Sequence, residues 1–152
     1  NSSSEEAIKH LINSITFNKK IDYIIFLQCT SPLRSYKDID NAMKKIIKEK
    51  TNSLISMVEF EDLTMWIDNK DKIIHFNYNP LQRKPRQKEG NYLIENGSIY
   101  IFKPKVLNKK NNRVDLNSLS IYKMNKLKLI EIDDILDFKY SEKIFNRLKK
   151  DL

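Results

Sequence analysis

The pattern of apolar and polar residues predicts that helices and strands alternate along the chain. Apolar residues that recur every three or four positions are typical of amphipathic helices, and short, continuously apolar runs are typical of strands covered on both faces. By the first criterion, helices are predicted at residues 4–15, 36–50 and 135–148. By the second, together with alternating segments, strands are predicted at residues 23–27, 53–58, 96–103, 118–124 and 128–132.

One strand–loop–helix unit, residues 22–39, carries the strongest local signals. Its apolar run stops at Gln28 and gives way to polar residues, and Pro32 then forces a turn. We interpret the run as a buried parallel strand whose carboxyl end opens into a ligand site, since open α/β sheets bind ligands at that edge. Ser35 is a predicted helix cap, with Asp38 as the acid of a capping box.

The segment 60–91 differs in character from the rest of the chain. It contains a polar, proline-containing loop at residues 78–91 after a short apolar stretch. The apolar residues that predict a hairpin in this stretch are Trp66, Ile73, Ile74 and Phe76. The order of elements therefore predicts a single α/β domain over residues 1–152, with a β-rich arm at residues 60–91.

Composition narrows the class of protein without indicating its function. A chain of 152 residues fits one domain, and its two glycines and four prolines argue against low complexity. The single cysteine, Cys29, excludes an internal disulfide and suits a reducing compartment, so a cytoplasmic location is expected. No apolar run approaches the ~20 residues of a membrane span, and no membrane partner is expected. The net charge of +8 is spread along the chain without an RNA-binding signature, which argues against a nucleic-acid partner.

Four motifs in order resemble those of one family. Residues 28–34, Gln-Cys-Thr-Ser-Pro-Leu-Arg, resemble the Gln-x-Thr-Ser-Pro-Leu-Arg signature of the acylneuraminate (CMP-sialic acid synthetase-like) cytidylyltransferases. Residues 86–87, 95–100 and 131–138 resemble that family's Arg-Gln, Glu-Asn-Gly-(small)-Ile-Tyr and Asp-Ile-Asp-x-x-x-Asp-Phe motifs. The resemblance runs over residues 5–148. It implies a nucleotide-diphospho-sugar transferase-like (Rossmann-like) mixed sheet and a dimerisation arm.

The resemblance also implies a reaction. The chain is expected to be a nucleotidyltransferase that uses CTP and Mg²⁺ to activate a sialic-acid-like nonulosonic acid, releasing pyrophosphate, in a homodimer. The family's glycine-rich phosphate loop has no counterpart in residues 1–152, so we expect a partial domain that is inactive on its own. Two alternatives stay open. The sugar acid is of the legionaminate, pseudaminate or Kdo type, or the chain is a non-catalytic sugar-nucleotide-binding or dimerisation module.

Two acids near the carboxyl end are the candidate metal ligands. Glu131 and Asp133 stand at positions i and i+2 of a predicted strand, which places both on one face. The residues alone favour an exposed strand end, whereas the resemblance implies a Mg²⁺ site, in which Asp133 is also a catalytic residue. The family typically has Asp where this chain has Glu131. Asp134 is predicted to cap the last helix, with Asp137 in its first turn.

Polar residues of the signature loop are the candidate substrate ligands. Gln28 is assigned a catalytic and sugar-binding role, because its amide offers both donors and an acceptor. Thr30 and Ser31 are expected to line the nucleotide side. Arg34 has two equal interpretations: it contacts an anion, or it pairs with Asp38 across the first helical turn.

The remaining candidates lie in the arm and in the next strand. Arg86 and Gln87 match the family's Arg-Gln motif, and a guanidinium suits the carboxylate of a sugar acid. Asn96 matches a family position near the ligand and is also expected to bind substrate. Gly97, inside the same predicted strand, marks a place where the backbone is approached closely.

Overall fold

The computed structural model describes residues 3–15, 20–60, 64–70, 72–82 and 92–149. Its helices are α1 (Ser4–Ser14), α2 (Tyr36–Glu49), α3 (Pro104–Lys110) and α4 (Ile135–Leu148). Its strands are β1 (Ile24–Leu27), β2 (Ser53–Phe60), β3 (Trp66–Asn69), β4 (Lys72–His75), β5 (Tyr92–Phe102) and β6 (Leu119–Met124). Short 3₁₀ turns occur at Pro80–Gln82, Leu116–Ser118 and Lys126–Lys128.

The main sheet is mixed, with the strand order β1-β5-β2-β6. Strand β5 runs antiparallel to both β1 and β2, and β6 runs parallel to β2. Strands β1, β2 and β6 therefore all point the same way, and their carboxyl ends meet at one edge of the sheet. The predicted mixed α/β sheet is confirmed.

Strand β1 differs in one respect from its prediction as a buried parallel strand. Within the described part of the chain it is an edge strand, its neighbour β5 is antiparallel, and Ile25 is 41% exposed. An apolar run shows that a strand has apolar surroundings, but it does not reveal the direction of the neighbouring strand.

The core consists of a layer on each face of the sheet. On one face α2 packs against the sheet, and on the other face α1 and α3 do so. The first layer contains Ala42, Ile46, Leu54, Val58, Ile99, Ile101 and Met124. The second contains Ile8, Ile55, Tyr100, Phe102, Val106 and Leu107. Alternation along β5 explains this division, since successive side chains point to opposite faces.

The predicted helix caps are confirmed. Ser35 and Asp38 form a capping box at the start of α2, and Lys50 ends that helix in the left-handed conformation. Asp134 accepts hydrogen bonds from the backbone N–H groups of Leu136 and Asp137 and so caps α4. The caps could be predicted from the sequence because each cap depends on residues within one helical turn.

The prediction of a strand at residues 128–132 is wrong. The chain forms a 3₁₀ turn at Lys126–Lys128, capped by the Asn125 side chain, and continues to Ile132 outside any strand. Leu129 packs against the core from this irregular segment. The apolar alternation that suggested a strand thus reflects burial without a backbone ladder.

The hairpin predicted within residues 60–91 is present. Strands β3 and β4 pair antiparallel, and the Trp66 ring makes edge contacts with His75 and Tyr78. Every described residue of both strands is exposed. That this segment is a dimerisation insert stays a prediction. Among the described residues, no helix combines the length and apolarity needed to cross a membrane.

Candidate active site

A bulge in β5, in which four residues lie opposite one residue of β2, is at the centre of the site. Ile55 pairs with Tyr100 and Met57 pairs with Glu95, so residues 96–99 lie opposite Ser56 alone. The Ser56 hydroxyl accepts a hydrogen bond from the Ile99 backbone N–H (2.8 Å) and so replaces the partner that the bulge removes. Bulges redirect a strand and commonly occur beside functional sites.

Gly97 occupies this bulge with a φ of +63°, which favours glycine. A Cβ at this position would lie 1.7 Å from Oε1 of Glu131 and 2.8 Å from Oε1 of Gln28. The close approach predicted at Gly97 is therefore present, and it is made by the Glu131 carboxylate. The Ser31 hydroxyl lies 3.3 Å from the same Glu131 oxygen. Gln28, Ser31 and Glu131 thus converge at the carboxyl end of β1.

Arg34 holds the signature loop in shape. Its Nη1 donates to the backbone oxygens of Gln28 (2.8 Å) and Ser31 (2.6 Å). The predicted alternative pairing of Arg34 with Asp38 is wrong, because Asp38 instead bonds Lys128 at 2.6 Å. An anion contact by Arg34 stays a prediction. The Thr30 carbonyl accepts a hydrogen bond from the Ile132 N–H (2.8 Å), which joins the loop to the acid-bearing segment.

The Asp38–Lys128 ion pair anchors that segment to the start of α2. Burial opposes the charge on Asp38, but hydrogen bonds from Lys128 and Ser35 outweigh it, so the pKa of Asp38 lies below its ordinary value. The Asp38 side chain is therefore ionised at neutral pH. Lys128 was not singled out in the sequence, where a lysine in a lysine-rich chain carries no distinguishing signal.

The two candidate metal ligands lie outside any strand, so the prediction that they share one face of a strand is wrong. Glu131 and Asp133 are both exposed, and the Asp133 backbone N–H donates to Asp137 (3.1 Å). The described residues contain no group of three or more His, Cys, Asp or Glu side chains arranged to hold a metal. Mg²⁺ needs only one or two carboxylates when phosphate oxygens and water complete its shell. Two exposed acids on one segment fit that requirement.

Asn96 is fully buried, at 0% exposure. Its side-chain Oδ1 accepts from Ser56 (2.6 Å), and its Nδ2 donates to the Lys128 carbonyl (3.0 Å). That its amide binds substrate stays a prediction, and the structure gives that amide partners inside the protein.

Two charged partners of the core tyrosine Tyr100 were not identified from the sequence. The pKa of the Tyr100 phenol is raised mainly by burial, and further by the hydrogen bond that the phenol donates to Glu95. The guanidinium of Arg113 lies 4.2 Å from the centre of the same ring. Only the fold brings Arg113 to this ring, so no sequence pattern could have linked them.

Arg86 and Gln87, the arm candidates, lie outside the described residues.

The comparisons with known proteins bear on the motifs and the fold. No protein-family model matches the chain. The chain is 30% identical over 146 residues to an N-acylneuraminate cytidylyltransferase B of Danio rerio, covering 93% of this chain. It spans 33% of the length of that relative.

Among solved structures, a 4-diphosphocytidyl-2C-methyl-D-erythritol synthase of Anaerococcus prevotii superposes with a TM-score of 0.59. The match covers 97% of this chain and 68% of that one at 10% identity, and so concerns the fold. The two matches agree with the motifs and confirm the fold: the chain is similar to an N-acylneuraminate cytidylyltransferase over 93% of its length, and its fold is that of a nucleotide-diphospho-sugar transferase.

Proposed function

We propose that this chain provides the sugar-binding and metal-binding side of a cytidylyltransferase site. The observation that carries the proposal is the convergence of Gln28, Ser31 and Glu131 around Gly97 at the carboxyl ends of the strands. Polar groups from two separate segments meet there beside the β5 bulge, where open α/β sheets bind ligands. The relative's name, which describes cytidylyl transfer to an acylneuraminate, supports the same chemistry.

In the proposed reaction, a hydroxyl oxygen of a nonulosonic sugar acid forms a bond to the α-phosphorus of CTP. The bond from that phosphorus to the β-phosphate bridge breaks, pyrophosphate leaves, and the hydroxyl proton passes to water. Gln28 orients the sugar through its amide, while Thr30 and Ser31 line the nucleotide side. Arg34 keeps the loop closed through the Gln28 and Ser31 carbonyls. Such positioning is the main contribution that a protein makes to phosphoryl-type transfer.

Glu131 and Asp133 would hold Mg²⁺. The ion, when bound, supplies positive charge at the triphosphate. Glu131 is held toward Gln28 by its position over Gly97, and Asp133 follows on the same segment. Asp133 keeps its carboxylate free of the helix cap, which Asp134 provides. Because Asp134 caps α4 and Asp133 does not, Asp133 is the better candidate for the second Mg²⁺ ligand.

The arm completes the proposal. Arg86 and Gln87 would bind the sugar carboxylate, and a homodimer formed through the exposed hairpin would bring the arm of each subunit toward a site. The apolar side chains of β3 and β4, all exposed, support an interface there.

Calorimetric titration with CMP-N-acetylneuraminic acid, with and without Mg²⁺, tests the proposed function. We expect Mg²⁺-dependent binding that weakens about tenfold or more in Asp133→Ala, since metal affinity depends on each carboxylate. Gln28→Ala should weaken binding roughly five- to tenfold whether or not Mg²⁺ is present.

Asp40→Ala, which removes an exposed carboxylate on α2, is the matched control and should leave binding unchanged. Failure of the folded chain to bind the CMP-sugar would contradict the proposal. Binding that Gln28→Ala leaves unaltered would contradict the sugar-binding role of the signature loop.

A further inference from the structure

Asn96 joins three segments that carry candidate site residues. Its side-chain amide bonds Ser56 in β2 and the Lys128 carbonyl at the 3₁₀ turn. Its backbone carbonyl accepts a hydrogen bond from the Ser31 hydroxyl in the signature loop (3.0 Å). The residue that follows it is Gly97, over which the Glu131 carboxylate lies. Asn96 therefore connects the bulge, the loop and the segment that bears the acids.

Besides the Asp38–Lys128 ion pair and the packing of Leu129, two hydrogen bonds to its backbone hold the acid-bearing segment. The Lys128 carbonyl accepts from the Asn96 amide, and the Ile132 N–H donates to Thr30 in the signature loop. Glu131 lies between these two hydrogen bonds. Because this segment belongs to no strand, it has no ladder of backbone hydrogen bonds to fix it, and its backbone next to Glu131 relies on these two bonds.

The chemistry of the amide suits this task. An asparagine side chain both donates and accepts, so it satisfies the Ser56 hydroxyl and the Lys128 carbonyl at the same time. Alanine offers neither function, and an ionised aspartate would set an acceptor against the Lys128 carbonyl. A buried network of this kind defines one arrangement of the segments that it connects.

We propose that Asn96 is a positioning residue for the reaction. It rests on the proposed function in taking Glu131 and Asp133 as metal ligands. The buried Asn96 amide holds the segment from Lys128 to Asp133 against the signature loop. By fixing the position of this segment, it sets the affinity of the site for a divalent cation. In this role the Asn96 amide acts through its partners within the protein, the Ser56 hydroxyl and the Lys128 carbonyl.

Amide hydrogen exchange on the whole chain provides the first test. In Asn96→Ala, exchange at the Ile132 N–H should accelerate about tenfold more than exchange at the core amides of β2. The reason is that the Ile132 N–H belongs to the acid-bearing segment and therefore reports the local opening of that segment. Ser120→Ala is the matched control: it also removes a buried hydrogen-bonding side chain, but one whose partners are Thr51 and Glu49. Equal acceleration at Ile132 in the two variants would overturn the proposal.

Mn²⁺ binding, followed by electron paramagnetic resonance with the metal alone, provides the second test. Asn96→Ala should raise the Kd for Mn²⁺ about tenfold, because the loss of contacts that orient metal ligands commonly weakens metal binding by this factor or more. Ser120→Ala should leave the Kd unchanged. Unaltered Mn²⁺ affinity in Asn96→Ala would also overturn the proposal. If the unaltered chain binds no Mn²⁺, the metal site of the proposed function fails, and exchange at Ile132 alone decides the role of Asn96.

A measurement on the unaltered chain covers the case in which Asn96→Ala does not fold. If Asn96 holds the segment, its side-chain amide protons and the Ile132 N–H should exchange through one shared opening, with similar protection. Rapid exchange at Ile132 beside a protected Asn96 amide would show that the segment moves independently of Asn96, and would overturn the proposal.

Discussion

At the scale of single residues, Gly97 and Glu131 form the contact on which the candidate site depends. A glycine inside a predicted strand indicated a close approach, but its sequence neighbours do not reveal what approaches. The structure places the Glu131 carboxylate in the space that a side chain at position 97 would fill. The longer Glu, where the related family typically has Asp, is accommodated because Gly97 leaves this space open.

Replacing Gly97 by alanine should therefore destabilise the protein in two ways. The φ of +63° costs a residue with a Cβ about 1–2 kcal/mol, and the new Cβ would displace the Glu131 carboxylate. We expect a total loss of roughly 2 kcal/mol or more in the free energy of unfolding, measured by urea denaturation.

The double variant with Glu131→Ala separates these two costs. Without the carboxylate, the backbone strain and the 2.8 Å approach to Oε1 of Gln28 remain, so Gly97→Ala should cost about 0.5–3 kcal/mol less in that background. If the two changes are additive, the displaced carboxylate contributes nothing and the explanation given for Gly97 is wrong.

At the scale of elements, the unit formed by β1, the signature loop and α2 follows closely from its sequence. The start of α2, its Ser35 cap and its capping-box Asp38 were all predicted, because these signals act within one helical turn. The partner of Asp38 was not predicted. Lys128 reaches it from a turn that lies far away along the chain.

The ion pair makes stability depend on pH in a defined direction. Because the pKa of Asp38 is lower in the folded protein than in the unfolded chain, its contribution is complete above the unfolded pKa. It is lost as the pH falls through the folded pKa. Asp38→Asn should therefore cost about 1.5–3 kcal/mol at pH 7 and progressively less below about pH 4.

Urea denaturation of both proteins between pH 7 and pH 2 measures this difference. Asp40→Asn, a neighbouring exposed acid on α2, is the control and should change stability little at either pH. A cost of Asp38→Asn that is equal at pH 7 and pH 2 would contradict the assignment of the ion pair.

At the scale of the whole molecule, the β3–β4 hairpin and the chain just beyond it expose several large apolar side chains. Trp66 is 50% exposed, Ile73 67% and Phe76 62%. Exposed apolar groups in a contiguous patch commonly mark an interaction surface. The proposed homodimer would bury them.

Sedimentation velocity tests the homodimer. The unaltered chain should sediment as a dimer, and Ile73→Lys should shift it toward monomer, because a charge in an apolar interface is costly. Trp66 is the single tryptophan, so its fluorescence should shift to longer wavelength on the same dissociation. Leu116→Lys, a change at an exposed apolar residue outside the hairpin, should leave the mass unchanged. A monomer in every case would contradict a dimer formed through the hairpin.

Sequence alone determined the features that depend on neighbouring residues. Periodicity predicted the sheet strands and α2, capping motifs predicted where α2 and α4 begin, and the ordered motifs indicated the family resemblance. It did not predict the short α3, in which Pro104 leads a lysine-rich stretch with little apolar pattern.

Tertiary structure alone decided which of these features meet. Local patterns could not show that β5 lies between β1 and β2, that residues 128–132 form no strand, or that Asn96 joins the loop to the acids. Each of these outcomes depends on contacts between segments far apart in sequence. The physical reason is that packing and hydrogen bonding between distant segments, and not local propensity, select the final position of each polar side chain.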